Sequence, residues 1–396
     1  MSMISVAEAH EHLARSIRVL AGSETVELRR CLGRILAIDI ISAIDVPPAD
    51  NSAMDGYALF SEDWQGPDHA IELSQRITAG RPPEVLKKGT AARIFTGAEI
   101  PAGADIVVMQ EKCRTDGQTV WLEAIREPGG NIRPKGQDIE RGATVLRAGH
   151  RLRAQDLGLI ASLGIARVEV RRRLKVAVVS TGEELVEPGE SLKPGQIYNS
   201  NRYLLQALLD NWGFEALDFG ITADDPEIIS DVMSEASRQA DAIITTGGVS
   251  VGEEDHVKAV VESLGSINLW KVAIKPGKPF AFGDVLGTPF LGLPGNPVSA
   301  LVTALIIARP FLFACQGASQ TDIVPLRQVA LFDKKGSFRQ DYLRVRTAAD
   351  GVEMFEQQSS GVLFSTSWGD SLVVQKPFED IKKGDTVDVI PYMLFN

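Results

Sequence analysis

Residues 175–181 read KVAVVST, an unbroken apolar run that ends at a small polar turn. The same pattern returns as DAIITT at 241–246 and PFLGLPG at 289–295, with helical segments such as NRYLLQALLDNWG at 201–213 between the runs. Buried strands that alternate with helices are typical of a mostly parallel sheet covered on both faces. We therefore predict a mostly parallel, three-layer α/β domain over residues 174–318.

The sequence pattern differs between the two sides of this domain. Apolar residues at helical spacing predict helices over 5–20 and 154–163. Between them, residues 42–145 are rich in Gly, Pro and Asp and contain short strand-like runs, which indicates an inserted β domain. Its flanks, 1–41 and 146–173, would then form one discontinuous helical domain. Alternating strands predict a small C-terminal β-barrel or sandwich over 319–396.

Composition excludes several classes of protein. With 41 basic and 52 acidic residues, the formal charge of -11 argues against a nucleic-acid or membrane-surface partner. Cys31, Cys113 and Cys315 lie far apart, so a disulfide framework or a zinc site is not expected. Charged residues interrupt the N-terminus, and we see no apolar run of about 18 residues that would predict a membrane span. These features predict a cytoplasmic protein.

Three glycine-containing turns follow apolar strands and lead towards helices. They are STGEEL at 180–185, TTGGVSVGEED at 245–255 and LPGNPVSA at 293–300. Ligands bind at the carboxyl edge of open parallel sheets, and helix N-termini favour phosphate or another oxyanion. The alternative is that each turn only joins a strand to a helix. As an anion site, the turns supply the candidate binding residues Thr181, Gly182, Glu184, Thr246, Gly247, Gly248, Ser250, Pro294 and Gly295.

Charged residues near turns could complete such a site. The run WKVAIKPGKP at 270–279 supplies Lys271, Lys275 and Lys278, although a short lysine cluster also fits a solvated face. Carboxylates beside glycine or in turns suit Mg²⁺, which usually bridges protein carboxylates to substrate phosphates. Each of them could instead be a turn former or a helix cap. The candidate carboxylates are Asp50, Asp55, Asp138, Glu184, Asp224, Asp225 and Asp255.

Other chemistries fit the residues less well. The GVSVG sequence at 248–252 matches a serine-hydrolase nucleophile elbow, but the only later histidine is His256, too near Ser250 to act as the distant base. No two glycines are separated by a single residue, so the dinucleotide fingerprint GxGxxG is absent, as is the P-loop. His10 and His12 face different sides of a predicted helix and are expected at the surface.

The ordered motifs resemble the molybdopterin molybdenumtransferase family, the bacterial counterparts of the gephyrin E domain. They include PPADNSAMDGYA, RIFTGAEIPAGADIVVMQEK, GGNIRPKGQDIERG, VVSTGEELVEPG, GQIYNSN, TTGGVSVGEEDH, WKVAIKPGKPFAFG and GLPGNPVSA. The resemblance runs from about residue 5 to residue 395. It implies an elongated subunit of four parts and a homodimer whose site lies between subunits.

The resemblance also implies a reaction and a set of residues. Adenylylated molybdopterin and molybdate would be the substrates, Mg²⁺ the cofactor and AMP a product. The matching catalytic positions are Asp55, Asp138, Asp224, Asp255, Lys271, Lys275 and Arg344, with Ser360 as a further binding residue. The metal would be held by Asp55, Glu184, Asp224 and Asp255. Two stretches depart from the family pattern: Asn199 replaces an expected aspartate, and SWGDSL stands at 367–372.

Two other functions stay open at this point. The α/β region alone also resembles molybdopterin adenylyltransferase, but the long N-terminal and C-terminal regions favour the molybdenumtransferase. A non-catalytic, gephyrin-like scaffold is the other alternative, and the carboxylates and lysines favour an enzyme over it. Partners could include the adenylyltransferase and the molybdoenzymes that accept the product. The sequence leaves the choice between molybdate and tungstate open.

Overall fold

The computed structural model describes residues 3–125, 127–248 and 256–396. Its contacts divide the chain into two compact units. Unit 1 comprises Met1–Ile38, Ala148–Arg153 and Arg167–Asn396, and unit 2 comprises Asp39–Arg147 and Ala154–Ala166. The chain thus leaves unit 1 and returns to it, and the four domain boundaries drawn from the sequence stay predictions.

Unit 1 contains most of the helices, whereas unit 2 consists mainly of short strands. The helices are α1 (Val6–Ala14), α2 (Ala154–Ser162), α3 (Ser200–Asn211), α4 (Pro226–Gln239), α5 (His256–Leu264), α6 (Pro297–Thr303), α7 (Arg309–Gln316) and α8 (Phe364–Trp368). The strands before α2 are β1 (Met3–Ile4), β2 (Ser23–Glu27), β3 (Ile40–Ile41), β4 (Asn51–Ser52), β5 (Gly56–Leu59), β6 (Ile71–Ile77), β7 (Thr90–Ile94), β8 (Ile106–Met109), β9 (Cys113–Thr115), β10 (Thr119–Leu122), β11 (Ile132–Arg133) and β12 (Thr144–Leu146).

Most strands of unit 1 follow α2. They are β13 (Arg167–Arg171), β14 (Lys175–Thr181), β15 (Leu185–Val186), β16 (Ile197–Tyr198), β17 (Glu215–Thr222), β18 (Ala242–Thr246), β19 (Gly265–Val272), β20 (Ile274–Lys275), β21 (Pro279–Val285), β22 (Thr288–Leu293), β23 (Leu326–Val329), β24 (Gln340–Ala348), β25 (Gly351–Met354), β26 (Ser371–Gln375) and β27 (Thr386–Pro391).

A seven-stranded sheet in the order β1-β19-β21-β22-β18-β14-β17 forms the centre of unit 1. Its pairings are parallel except where β21 runs antiparallel to β19 and β22. The register pairs Ser180 with Thr246 and Thr246 with Leu293. The three glycine-containing turns therefore leave the sheet side by side at one edge, as the sequence predicted.

The sheet is covered by apolar side chains on both faces. One face packs Trp212 and Phe214 against Phe313, with ring centroids 4.9 Å apart for the two phenylalanines. The other face packs Ile229 and Met233 of α4 against the strands. Trp212 and Phe214 thus belong to the core, whereas Tyr203 of α3 is exposed.

The helical run Pro297–Gln316 corrects a sequence prediction. It is long and apolar enough to span a membrane by length and composition, whereas we expected no such run. Of its most apolar window, 89% is buried inside the structure, which is how a core helix behaves. The run includes a π-helical turn at Ala304–Ala308, before Pro310. Proline lacks the N–H that would bond the carbonyl four residues earlier, and a π turn changes the bonding pattern locally.

His10 supplies a partner for the carbonyl group that lacks a donor because of this proline. Its Nε2 lies 2.8 Å from the carbonyl oxygen of Ile306, the acceptor that Pro310 cannot use. His10 is therefore half-buried in unit 1 and not a surface residue, whereas His12 is exposed as expected. Helix α1 is also shorter than the predicted 5–20, since it ends at Ala14, and further along the chain the N–H of Leu20 bonds the carbonyl of Cys315 and not a helical partner.

Unit 2 contains a six-stranded sheet in the order β8-β5-β7-β6-β10-β9. Residues alternate between two small cores along β5, with Tyr57 and Leu59 in one and Ala58 in the other. A side chain at Gly56 would place its Cβ 2.1 Å from the carbonyl oxygen of Val108, so the two strands approach too closely for any other residue. The β content predicted for this part of the chain is confirmed.

The last sheet of unit 1 has the strand order β20-β24-β26-β27-β23. A sixth strand, β25, also pairs with β24. An isolated bridge joins Ala330, just after β23, to Val352 of β25. A closed barrel stays a prediction. The pairing of β20 with β24 matters for the site, because it places Lys275 beside Asp341. The run at 270–279 is thereby shared between two sheets, with Lys271 in the first and Lys275 in the second.

Candidate functional site

A cleft of about 930 Å³ lies at the edge of the seven-stranded sheet where the three turns emerge. It collects parts of unit 1 that are far apart in sequence. Its walls come from the ends of β14 and β18, the start of α3, the turn before α6, the segment around β20 and the loop after β25. Of the predicted binding residues, it is lined by Thr181, Glu184, Thr246, Gly247, Gly248, Pro294, Gly295 and Ser360.

Glycine in these turns keeps the backbone open to a ligand. Gly247 and Gly248 both have positive φ, +85° and +62°, which is costly for residues with a side chain. Gly182 also has positive φ, and a Cβ there would lie 2.5 Å from Oε2 of Glu184. Gly182 thus lets the chain turn tightly behind Glu184, although it is not itself a lining residue.

Positive charge enters the cleft from the β20 side. Lys275, Lys278 and Arg339 line it. Lys275 is held by Asp341, with 2.8 Å between Nζ and Oδ2, and Lys278 is exposed. Lys271 does not line the cleft, since it lies in β19 opposite Met3 and Pro279. Its catalytic role stays a prediction, and charge spacing alone gave no reason to separate it from Lys275.

Arg344 lies behind the wall of the cleft. The resemblance implied a cation at the site, but the structure buries this side chain completely, with 0% exposure. Its Nη2 donates to the carbonyl of Ser359 at 3.3 Å, and its Nε donates to Oγ of Ser365 at 3.2 Å. Burial lowers the pKa of the guanidinium. Arg344 therefore supports the loop that carries Ser360 from behind and is not a lining residue of the cleft, and its catalytic role stays a prediction.

Amides at the start of α3 were missed as site residues. Asn199, 1% exposed, caps α3 by accepting the N–H of Arg202 at 3.2 Å. Asn201 donates from Nδ2 to the carbonyl of Gly295 at 2.7 Å, which ties α3 to the turn before α6. Both line the cleft. Asn is among the best N-cap residues, so the sequence indicated a helix start but no site. Arg339 was also missed as a site residue, because no recognisable motif surrounds it in the sequence.

The predicted carboxylates do not form one cluster in the described part of the chain. Glu184 lines the cleft, while Asp224 is exposed before α4 and is not a lining residue. Asp55 and Asp138 belong to unit 2. Ser250 and Asp255 lie outside the described residues. Within the ranges 3–125, 127–248 and 256–396, no group of three or more His, Cys, Asp or Glu residues could hold a metal ion alone.

The carboxylate of Asp55 is hydrogen-bonded within unit 2. Its Oδ1 accepts hydrogen bonds from the N–H and the hydroxyl of Thr96, both at 2.8 Å. These bonds, the backbone one above all, lower the pKa of Asp55 below its usual value. The group therefore stays ionised at neutral pH. Asp138 is exposed, and its own N–H donates to the carbonyl of Val46.

Gly277 lies between the two cleft lysines, and we expect its replacement by alanine to destabilise the protein by about 1 to 3 kcal/mol. Its φ is +119°, and a Cβ there would lie 2.6 Å from Oγ1 of Thr303. Chemical denaturation with urea measures the change. Gly287→Ala is the matched control, since φ is +88° but nothing lies within 4 Å. Equal losses for the two variants would show that the close approach at Thr303 contributes nothing.

Comparison with known proteins finds a relative that matches almost the whole chain. Over 401 aligned residues, the chain is 40% identical to the molybdopterin molybdenumtransferase of Haemophilus influenzae, covering 98% of this chain and 99% of that protein. The chain belongs to the molybdopterin molybdenumtransferase family. Three family models match: the MoeA N-terminal region (domain I and II) at 4–164, a probable molybdopterin binding domain at 177–314 and the MoeA C-terminal region (domain IV) at 333–392.

Other members of the molybdopterin molybdenumtransferase family support the assignment. Molybdopterin molybdenumtransferase 2 of Mycobacterium tuberculosis is 39% identical over 328 residues, covering 80% of each chain. Among solved structures, a molybdopterin biosynthesis MoeA protein from Pyrococcus horikoshii has a TM-score of 0.87 and 28% identity, covering 99% of this chain and 100% of that one. The family resemblance drawn from the motifs is confirmed. The match at 177–314 includes the three turns at the cleft edge.

Proposed function

We propose that this chain is a molybdopterin molybdenumtransferase that takes adenylylated molybdopterin and molybdate, releases AMP and forms molybdenum cofactor. Family membership over almost the whole chain supports this function. The observation that carries it in the structure is the cleft at the sheet edge. It combines glycine turns, two helix starts and three cationic side chains, and such a site suits a ligand with several negative charges.

Some cleft residues would bind the substrates, and others would stabilise negative charge during the reaction. The backbone N–H of Gly248 and those at the start of α3 would hold phosphate oxygens, whereas the N–H of Gly247 already donates to the carbonyl of Leu293. Lys275, Lys278 and Arg339 would hold molybdate and offset the negative charge that develops as AMP leaves. Ser359 and Ser360 line the same end of the cleft and offer hydroxyls to oxyanion oxygens. Such preorganised charges are often the largest catalytic contribution in an enzyme.

We propose that Mg²⁺ assists at the Glu184 side of the cleft. Mg²⁺ commonly takes one or two protein carboxylates together with substrate phosphates, so a single lining carboxylate fits this use. When bound, the ion would neutralise phosphate charge. Asp255 is a further proposed ligand outside the described residues, and Asp55 and Asp224 stay proposed ligands on the resemblance alone. Glu184 itself would orient the phosphates by holding the ion at the β14 turn.

Glu184→Gln should raise the Mg²⁺ concentration needed for half-maximal activity by about 10-fold or more, because one charge-assisted contact contributes about 1.5 to 3 kcal/mol. Titration of AMP release against Mg²⁺ measures this. The neighbouring Glu183 is also exposed but does not line the cleft, so Glu183→Gln should leave the titration unchanged. An unchanged titration for Glu184→Gln would remove this residue from the metal site.

Further features are proposed on the family resemblance. We propose a cytoplasmic homodimer with its site between subunits, in which Asp55 and Asp138 of unit 2 and Asp224 and Lys271 of unit 1 act. The C-terminal strands would close as a small barrel, and the bridge between Ala330 and Val352 supports this closure. The molybdopterin adenylyltransferase and acceptor molybdoenzymes are proposed partners.

The function is tested with purified protein, adenylylated molybdopterin, Mg²⁺, and molybdate or tungstate. We expect AMP release that depends on the oxyanion and is lost in Asp55→Ala, because this change removes a carboxylate whose pKa is lowered by hydrogen bonds from Thr96. Comparing the rates of AMP release with molybdate and with tungstate shows which oxyanion the protein prefers. Tight binding of the pterin without AMP release would move the assignment to a scaffold. Turnover of molybdopterin with ATP would instead indicate an adenylyltransferase.

A further inference from the structure

One of the cleft lysines is held by a buried carboxylate. The Nζ of Lys275 lies 2.8 Å from Oδ2 of Asp341, and the side chains are 31% and 3% exposed. The two residues are register partners in the parallel pairing of β20 with β24. Strand pairing therefore fixes both backbones, and the ion pair fixes the end of the lysine side chain.

This geometry leaves the ammonium group partly free. A lysine ammonium has three N–H donors, and Asp341 accepts one of them. Lys275 lines the cleft, so its remaining donors are available to a ligand there. Without an anchor, the four-carbon side chain would lose considerable conformational entropy on binding. An anchored ammonium has already lost this freedom when the substrate arrives.

We infer that Asp341 is a positioning residue, which fixes the Lys275 ammonium so that its free N–H groups meet an oxyanion oxygen of the substrate. This role rests on the proposed function, because it assumes that an anion binds beside Lys275. The carboxylate does not itself meet the ligand, since almost none of its own surface faces solvent. It also reduces the net positive charge at this end of the cleft, so its role is orientation and not attraction.

A second ion pair in unit 1 has the same length but a different setting. Lys335 Nζ lies 2.8 Å from Oδ2 of Asp380, yet these side chains are 92% and 43% exposed. Neither residue lines the cleft. Exposed pairs of this kind contribute little, because solvent screens them. The pair of Lys335 with Asp380 is therefore a matched control for the pair of Lys275 with Asp341.

The test is the kinetics of AMP release by Asp341→Asn, which keeps the shape of the side chain and removes its charge. We expect kcat to fall by about 10-fold or more, since small misplacements of a catalytic group can cost about 100-fold. The KM for molybdate should change by less than about threefold, because the lysine charge remains to attract the anion. Asp380→Asn should change neither constant. An unaltered kcat in Asp341→Asn, or an increase in KM alone, would overturn the positioning role.

A double variant separates positioning from a general effect on folding. If Asp341 acts only through Lys275, adding Asp341→Asn to Lys275→Ala should lower kcat no further, although the two sites are in contact. A further loss in the double variant would contradict the inference. Thermal unfolding of each variant identifies any that fails to fold, and the double variant removes both charges, so it stays informative if Asp341→Asn unfolds.

Failure of the proposed function would give a different result. In that case the wild-type protein would release no AMP, and molybdate binding measured by calorimetry would replace kinetics. Positioning then predicts that Asp341→Asn binds molybdate with a less favourable entropy, since the lysine must be ordered on binding. Identical entropies for the wild-type protein and Asp341→Asn would overturn the inference without reference to catalysis.

Discussion

Replacing Arg344 by alanine should lower the free energy of unfolding by about 3 to 5 kcal/mol, because the change opens a cavity and leaves buried acceptors unpaired. The side chain is fully buried and donates to the carbonyls of Tyr342 and Ser359 and to the hydroxyl of Ser365. Urea unfolding followed by circular dichroism measures the loss. AMP release should also fall, since the loop beside Ser359 lines the cleft.

Arg346 provides the control for this prediction. It lies two residues further along β24, its side chain is 49% exposed, and it pairs with Glu353 at 2.9 Å. Arg346→Ala should cost less than about 1 kcal/mol, as is usual for exposed ion pairs. Arg344→Lys should recover little stability, because an ammonium cannot reproduce the planar set of donors. Similar losses for Arg344→Ala and Arg346→Ala would show that the buried hydrogen bonds contribute nothing.

Lys275→Ala should lower the rate of oxyanion-dependent AMP release by about 10- to 150-fold, which corresponds to one charge-assisted hydrogen bond of about 1.5 to 3 kcal/mol. Lys275 lines the cleft and is already oriented by Asp341. Steady-state kinetics at saturating adenylylated molybdopterin and varied molybdate measure the loss. The variant should also be less stable by about 1 to 3 kcal/mol, because Asp341 keeps a buried charge without its partner.

Lys335→Ala is the matched lysine for this experiment, since its ion pair has the same length but lies outside the cleft. It should keep wild-type kinetics and lose little stability. Wild-type AMP release by a folded Lys275→Ala protein would remove this lysine from the reaction. A loss of stability without a loss of rate would leave it a structural role alone.

Several features of the fold were predictable from residue patterns. The apolar runs at 175–181, 241–246 and 289–295 predicted strands, and the glycines after them predicted turns at one edge. Local signals suffice here, because apolar periodicity and turn chemistry act over a few residues. The ordered motifs also indicated the family, which a full-length relative confirms.

Helix ends and side-chain settings were less predictable. The pattern over 5–20 was helical to its end, but α1 ends at Ala14 and the chain beyond it is held by a long-range bond from Leu20 to Cys315. The apolar composition of 297–316 does not tell a core helix from a membrane span, and only its burial in unit 1 does so. In both cases a contact with a distant part of the chain decides the result.

The sequence by itself determined the family, the alternating strands and helices, and the kinds of charge available to a site. Tertiary structure decided how those charges are used. Lys271 and Lys275 look alike in sequence, but the pairing of β20 with β24 sets Lys275 beside Asp341 at the cleft. Arg344 looks like a site cation, but it is buried behind the loop at Ser359. The physical reason is that burial and ion pairing depend on long-range strand register, which short-range patterns do not contain.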